Sequence, residues 1–80
     1  MKAVVVVRFK PDVPDAAGRI TRERLVDMGF SEVNEARIGK VVELDLEAAD
    51  RDAASERVKQ MCERLLVNGV IEDYVVVSLQ

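Results

Sequence analysis

The fold is decided by residues 32–48, which read EVNEARIGKVVELDLEA. Apolar and charged residues alternate along the second half of this stretch, as they do in a strand with one buried face. The stretch is longer than most strands, and Gly39 interrupts it. Because glycine permits a sharp change of direction, the pattern predicts two strands, about 33–38 and 41–47, that meet in a tight turn or bend at Gly39.

Two helices and two further strands are predicted on either side of this stretch. Asp15 and Asp50 are suited to cap the helices, and Gly29 and Asn68-Gly69 are suited to end them. The flanking elements are a strand over residues 2–10, a helix over about 16–28, a helix over about 51–67 and a strand over 71–79.

Each predicted helix carries an apolar stripe at helical spacing, which indicates that both pack against the sheet. The first stripe is Ala17, Ile20, Thr21, Leu25 and Met28, and the second is Ala54, Val58, Met61, Cys62 and Leu65. The order βαββαβ is the ferredoxin-like pattern of an α+β fold. The sequence therefore predicts a single domain, residues 1–80, in which two helices cover one face of a four-stranded antiparallel sheet.

Composition excludes several kinds of function. The chain has no His and a single Cys, Cys62, so it cannot form a Cys/His nucleophilic pair, a Ser-His-Asp triad, an internal disulfide or a multi-Cys zinc site. A net charge of −3 and only three aromatic residues argue against nucleic-acid binding. No apolar run approaches the ~20 residues of a membrane span, so we expect no membrane partner and a cytoplasmic location.

The valine-rich strands predict an association surface. The chain contains fifteen Val residues, a composition typical of strands. Because two helices cover only one face of the sheet, apolar side chains on the other face would lie in water, and such patches usually mark association sites. That face is predicted to carry Val4, Val6, Val41, Tyr74 and Val76. We therefore expect the chain to associate with itself through the sheet, as a dimer or tetramer.

The acidic residues of one predicted strand are the candidate metal site. Glu43, Asp45 and Glu47 occupy alternate positions, which places three carboxylates on one strand face. A metal ion also needs carbonyl or neutral ligands that the sequence does not offer nearby, so a solvated or interfacial face is the favoured interpretation. Cys62 lies on an apolar stripe with no visible base, which favours a small buried hydrophobe over a nucleophile.

Arg37, Gly39 and Lys40 are the candidate anion site, because two cations flank a glycine whose backbone N–H is accessible. The earlier glycines of a phosphate-binding loop are missing, which favours pairing of the cations with acidic strands instead. Glu72, Asp73 and Tyr74 bring two acids and a phenol into the last strand. Pairing of these residues with Arg37 or Lys40, across strands or between subunits, is favoured over acid-base chemistry.

Several short motifs recur at the spacing of a known family. They are Gly29-Phe30 with Val33, Arg37, Gly39-Lys40, Glu43-Leu44 with Leu46, Met61-Cys62, Leu65-Leu66, Asn68, and Val70-Ile71-Glu72-Asp73-Tyr74. On these motifs the whole chain resembles the PurS family, the small S subunits of phosphoribosylformylglycinamidine (FGAM) synthase. It departs from the family pattern in two turns, Pro11–Gly18 and Asn68-Gly69.

The resemblance implies a role that composition cannot show. The family's complex converts formylglycinamide ribonucleotide, glutamine, ATP and water to FGAM in purine biosynthesis. The small subunit would bridge a glutaminase subunit and a large synthetase subunit and assist ammonia transfer between them. This chain would hold no catalytic, cofactor-binding or metal-binding residue, while the complex uses ATP and Mg²⁺. We expect the following residues to contact other subunits: Val4, Val6, Arg37, Gly39, Lys40, Val41, Glu72, Tyr74 and Val76.

Two other functions remain open on the residues alone. Domains of the βαββαβ kind often serve as regulatory modules, with a small ligand at a dimer interface, here near Gly39. The chain could also be a self-sufficient enzyme with a metal ion on its acidic strand. Ligand calorimetry and metal analysis of the purified protein would separate these functions from a subunit role.

Overall fold

The computed structural model describes residues 1–80 as two helices and a three-stranded antiparallel sheet. A short π-helical segment, Cys62–Leu66, continues the second helix. The strand order is β2-β1-β3, so β2 and β3 each keep a free edge. The elements are β1 (Lys2–Phe9), α1 (Ala16–Asp27), β2 (Lys40–Asp45), α2 (Arg51–Met61) and β3 (Glu72–Leu79).

Both helices begin at the capping residues predicted from the sequence. The Asp15 carboxylate accepts a hydrogen bond from the Gly18 N–H at 2.9 Å, and the Asp50 carboxylate accepts one from the Ala53 N–H at 2.8 Å. Gly29 follows α1 with a φ of 102°, the left-handed conformation that favours glycine after a helix. These local predictions are confirmed.

The core lies between α2 and one face of the sheet. Only 8 of the 80 residues are buried, and none of them is polar or charged. A core this thin leaves little stability in reserve. Its seven apolar members are Ala3, Val5, Val7 and Leu79 from the sheet, and Ala54, Val58 and Cys62 from α2 and its continuation.

The predicted turn at Gly39 is wrong, and with it the fourth strand of the sheet. Gly29 is the one residue with positive φ, whereas tight hairpin turns need such a residue at the turn. Residues 33–38 pair with no strand of this chain. Instead they run beside α1, with Ile38 at Asp15, Ala36 at Gly18 and Val33 at Arg22, and so lead away from β2.

The predicted packing of α1 on the sheet is also wrong. Of its residues only Gly18 is buried, while Ile20 is 46% exposed and Met28, just after the helix, is 72% exposed. No strand makes a substantial contact with α1. The reason is the course of the chain at Gly39: because segment 33–38 does not fold back beside β2, the helix packed on it is carried past the end of the sheet.

A β-bulge changes which side chains share a face of the sheet. Tyr74 stands opposite Val7, and Val76 stands opposite Val5. Because Val5 and Val7 face α2, their partners Tyr74 and Val76 lie on the same side of the sheet. A register shift opposite Val4 and Val5 then leaves Val77 without a partner. The predicted placement of Tyr74 and Val76 on the uncovered face is therefore wrong.

The uncovered face of the sheet carries a slightly different apolar set. Val75 stands opposite Val6, and Val41 stands opposite Val6 from the other side. We call this surface the open face; its apolar members are Val4, Val6, Val41 and Val75.

The chain is unusually elongated for its length. Its radius of gyration is 15.9 Å and its extents are 50 × 25 × 14 Å, whereas a compact domain of this length has a radius of gyration of about 12 Å. The projecting part consists of residues 16–38, which comprise α1, the turn after it and segment 33–38. We call it the arm.

Candidate subunit interface

One carboxylate ties the two sides of the arm together. Asp15 Oδ1 accepts from the Gly18 N–H that opens α1, and Asp15 Oδ2 accepts from the Ile38 N–H at 2.8 Å. These two hydrogen bonds, with a smaller contribution from the charge of Arg37, hold the pKa of Asp15 below its usual range. The ionised carboxylate therefore fixes the direction in which the arm leaves the sheet.

The lowered pKa of Asp15 predicts how stability depends on pH. A carboxyl group whose pKa is depressed by folding stabilises the protein above its unfolded pKa of about 4, and this contribution is lost as the pH falls through the folded pKa. We expect Asp15→Asn to be less stable than the natural chain at about pH 7, and the difference to shrink towards about pH 3. Urea unfolding midpoints across this range measure it. Asp12→Asn is the matched control, and an equal pH profile for both variants would contradict the prediction.

Arg37 clamps the end of β1 to the base of the arm. Its Nη2 donates to the carbonyl oxygens of Phe9 at 3.2 Å and Lys10 at 3.0 Å, and its Nη1 donates to that of Pro11 at 3.5 Å. Its Nη1 also lies 3.6 Å from the Glu35 carboxylate. Both terminal nitrogens are thus engaged by the protein itself, so the geometry favours a structural role for Arg37 over anion binding.

Gly39, Lys40 and Glu72 come together around one shallow hollow of about 230 Å³, with Phe9 and Ile38 in its wall. A Cβ atom on Gly39 would collide with the Val7 carbonyl oxygen, so glycine is required for this close approach of β2 to β1. The hollow is open and carries charges of both signs, unlike the enclosed apolar pockets that usually bind small ligands. It suits a protein contact better than a regulatory ligand.

Glu72 and Tyr74 have local partners. Glu72 Oε1 accepts from the Asn68 N–H at 2.8 Å and so fixes the turn before β3. Its predicted cross-strand pairing with Arg37 or Lys40 is wrong within this chain, because Glu72 stands opposite Phe9 and Arg37 pairs with Glu35 instead. Tyr74 is half-buried against the core, and burial raises the pKa of its phenol.

Neither the acidic residues of β2 nor Cys62 has the surroundings that a metal site or a nucleophile needs. Asp45 stands opposite Lys2 and Glu43 opposite Val4, and no three potential metal ligands of the chain converge. Cys62 is fully buried, and burial raises the pKa of its thiol, which keeps it protonated at neutral pH.

Comparison with known proteins gives the family. The family model PurS, described as phosphoribosylformylglycinamidine (FGAM) synthase, matches residues 2–80. The chain belongs to the PurS family. The PurS subunit of this synthase from Bacillus subtilis is 47% identical over 73 residues, which cover 91% of this chain and 86% of that protein. The subunit from Synechocystis is 43% identical over 70 residues, which cover 88% of this chain and 70% of that protein.

Solved PurS structures share the fold. The crystal structure of the PurS subunit of Thermotoga maritima matches with a TM-score of 0.90 at 36% identity, covering 98% of this chain and 90% of that one. A chain in the structure of PurLQS from the same organism matches with a TM-score of 0.86 at 33% identity, covering 99% of both chains. The chain is thus the PurS subunit of FGAM synthase, which acts in purine biosynthesis.

Two groups of exposed apolar side chains in this PurS chain lie on the open face and on the arm. On the open face, Val41 is 60% exposed and Val75 is 51% exposed. On the arm, the exposed apolar side chains are Ile20, Met28, Phe30 and Ile38. The strand alternation predicts the first surface but not the second, because the sequence pattern places the apolar stripe of α1 in the core.

The expected contact residues of the PurS chain do not form one surface. Val4, Val6 and Val41 lie on the open face, whereas Tyr74 and Val76 lie on the side of α2. Arg37, Gly39 and Lys40 lie where the arm joins the sheet.

None of the helices is long and apolar enough to cross a membrane.

Proposed function

We propose that this PurS chain acts in FGAM synthase as a structural subunit that makes and breaks no bonds itself. The observation that carries the proposal is the pairing of a thin core with two exposed apolar surfaces, the open face and the arm. Its potential nucleophile, Cys62, is buried with a raised pKa, and its acidic residues do not converge on a metal site. A chain of this kind is suited to joining other subunits.

The partners in this proposal are a glutaminase subunit, a large synthetase subunit and a second copy of this chain, all in the cytoplasm. The synthetase subunit would use ATP and Mg²⁺, and this chain would bridge it to the glutaminase and assist the passage of ammonia. Support comes from the similarity to a chain of PurLQS from Thermotoga maritima over 99% of both chains. The exposed valines of the open face support self-association.

Reconstitution from separately purified subunits tests this role. We expect glutamine-dependent FGAM synthesis only when this chain, the glutaminase and the synthetase are combined, and no turnover by this chain alone. Among Lys40→Ala, Val41→Asp and Tyr74→Ala, we expect at least one to weaken co-purification by roughly tenfold, since a few residues carry most interface energy. Glu56→Ala, on the exposed side of α2, is the control.

Two results would contradict the proposal. Turnover by the isolated chain would show that it is an enzyme in its own right. Undiminished assembly in all three variants would show that no contact with another subunit depends on the open face, on the junction of arm and sheet, or on Tyr74.

A further inference from the structure

The outer side of β3 is a free strand edge. One side of this strand pairs with β1, and the other pairs with no strand of the chain. The Lys10 N–H donates to the Ile71 carbonyl oxygen just before β3. Because the backbone groups of successive residues point to opposite sides of a strand, those of Tyr74 and Val76 point to the free side. Their N–H and C=O groups are therefore available to another strand.

This edge lacks most of the features that keep sheet edges from pairing. Natural edge strands are usually short, or carry lysine, proline or a bulge. The strand β3 is eight residues long and contains neither lysine nor proline, and its charges are confined to Glu72 and Asp73 at its start. Its bulge, at Val77, lies towards its end. Residues 72–76 thus form a regular edge to which a strand can add.

A groove lies between this edge and the π-helical segment. Its volume is about 400 Å³, and no residue of β1 or β2 lines it, so it lies on the outer side of β3. An extended peptide that adds to a strand edge beside such a wall makes main-chain hydrogen bonds to the strand, while its side chains enter the pockets alongside. We call it the edge groove; its lining residues are Glu63, Val67, Gly69, Glu72, Asp73 and Tyr74.

The π-helical segment turns apolar side chains outward at the edge groove. A π turn contains more residues than an α-helical turn and is frequent at functional sites. The extra residue rotates Leu65 off the apolar stripe of α2. Leu65 is 84% exposed and Val70 is 82% exposed, the highest values among the large apolar side chains. Both lie within two residues of the groove lining, where apolar surface beside a polar rim suits a protein contact.

Charge specifies the occupant of the edge groove. Glu63, Glu72 and Asp73 lie in its wall, and no basic residue does. None of these carboxylates forms an ion pair within the chain, so a basic side chain of a partner would meet unpaired negative charge there. A second copy of β3 contains no basic residue and cannot supply that side chain.

Three basic residues lie near the edge groove without lining it. Arg8 stands opposite Asp73 on β1, and Arg64 belongs to the π-helical segment. Burial raises the pKa of the Tyr74 phenol, and Lys59 is close enough to oppose that rise. None of the three forms an ion pair, so the carboxylates in the wall stay open to a partner.

We propose that the edge groove takes an extended segment of a partner subunit, which adds to β3 as a further strand and places a lysine or arginine side chain between Glu63 and Glu72. Hydrogen bonds to the backbone of Tyr74 and Val76 hold this strand. The inference rests on the proposed role as a subunit and specifies one of its contacts.

Val76→Pro tests the strand addition. Proline removes the N–H that points to the free edge and leaves the hydrogen bonds between β3 and β1 in place, as proline does on natural edge strands. We expect it to weaken binding to either the glutaminase or the synthetase, purified and measured separately, by roughly tenfold or more. Val76→Ala is the matched control, because it shortens the same side chain but keeps the N–H, and it should bind as the natural chain does.

Glu63→Lys tests the charge of the occupant. Glu63 is exposed in the wall of the edge groove, so the substitution leaves the core unchanged and sets a cation against the basic side chain of the partner. We expect binding of the same subunit to weaken by roughly tenfold. Glu56→Lys, on the exposed side of α2, changes the net charge equally and should have little effect. Equal losses in the two variants would contradict a basic occupant.

Hydrogen exchange of the natural chain tests the same contact without any substitution. Added strands protect the amides that they pair with, so we expect the Tyr74 and Val76 amides to exchange more slowly when the partner subunit is bound. Unchanged exchange of both amides in the bound chain would overturn the strand addition and leave the bridging role intact. Equal binding by Val76→Pro and Val76→Ala would do the same.

Two further outcomes separate this contact from other possibilities. Weaker self-association of Val76→Pro than of Val76→Ala in sedimentation would assign the edge to a second copy of the chain and would overturn the proposal. Failure of the natural chain to bind either the glutaminase or the synthetase would overturn both the contact and the proposed function on which it rests.

Discussion

Val5→Asp is expected to unfold the chain, whereas Val41→Asp is expected to leave it folded. Val5 is fully buried at the centre of β1, between α2 and the neighbouring strands, and no polar or charged side chain is buried near it. An unpaired carboxylate there costs several kcal/mol. The whole domain has roughly 4–12 kcal/mol of stability at this length, and its core has seven members, so the loss is comparable to the total.

Circular dichroism at about pH 7, with a urea titration, measures the outcome. Val41 is the matched position because it is also a strand valine but is 60% exposed on the open face. We expect Val41→Asp to shift the urea midpoint only slightly while it weakens association. A Val5→Asp chain that unfolds at the urea midpoint of the natural chain would show that the core does not lie between α2 and this face of the sheet.

The local elements could be predicted from the sequence because their determinants are local. Apolar alternation identified β1 and β2, and Asp15 and Asp50 cap the helices at the predicted residues. The stripe of α2 contributes Ala54, Val58 and Cys62 to the core, as expected, but the predicted burial of Leu65 is wrong, because this residue of the π-helical continuation is 84% exposed. In each case a short run of residues fixes both the structure and the buried face.

The faces of β3 could not be predicted, because its sequence does not specify its register. Val75, Val76 and Val77 have the same side chain, so a bulge among them cannot be recognised from the alternation of apolar and polar residues. The register is chosen by the pairing with β1 across the bulge. Val75 thereby replaces Val76 on the open face.

The course of the arm could not be predicted, because long-range contacts decide it. Gly39 permits a turn, but the backbone continues straight where the Arg37 guanidinium holds the carbonyl oxygens of Phe9 and Lys10. These partners are distant in sequence, and periodicity carries no information about them. The function could nevertheless be predicted from the family resemblance, because its motifs can be recognised in the sequence without knowledge of the course of the arm.

Gly18→Ala is expected to destabilise the chain, opposite to the usual effect of this substitution in a helix. Alanine normally stabilises a helix interior by about 1 kcal/mol relative to glycine. A Cβ atom on Gly18, however, would collide with the Ala36 carbonyl oxygen and would lie 2.6 Å from Asp15 Oδ2. Both neighbours belong to the contact between α1 and segment 33–38, so the arm must open to admit one methyl group.

We expect Gly18→Ala to lower the free energy of unfolding by about 2 kcal/mol, the cost of an overpacked contact, and to weaken self-association because the arm loses its direction. Gly69→Ala is the matched control. Gly69 has no positive φ, and no atom lies within 4 Å of the place that a methyl group on it would take, so the same change there should be neutral or stabilise by up to about 1 kcal/mol. Urea unfolding and sedimentation of both variants measure the difference. If Gly18→Ala proved as stable as Gly69→Ala, α1 would not pack on segment 33–38, and the arm would have no fixed shape.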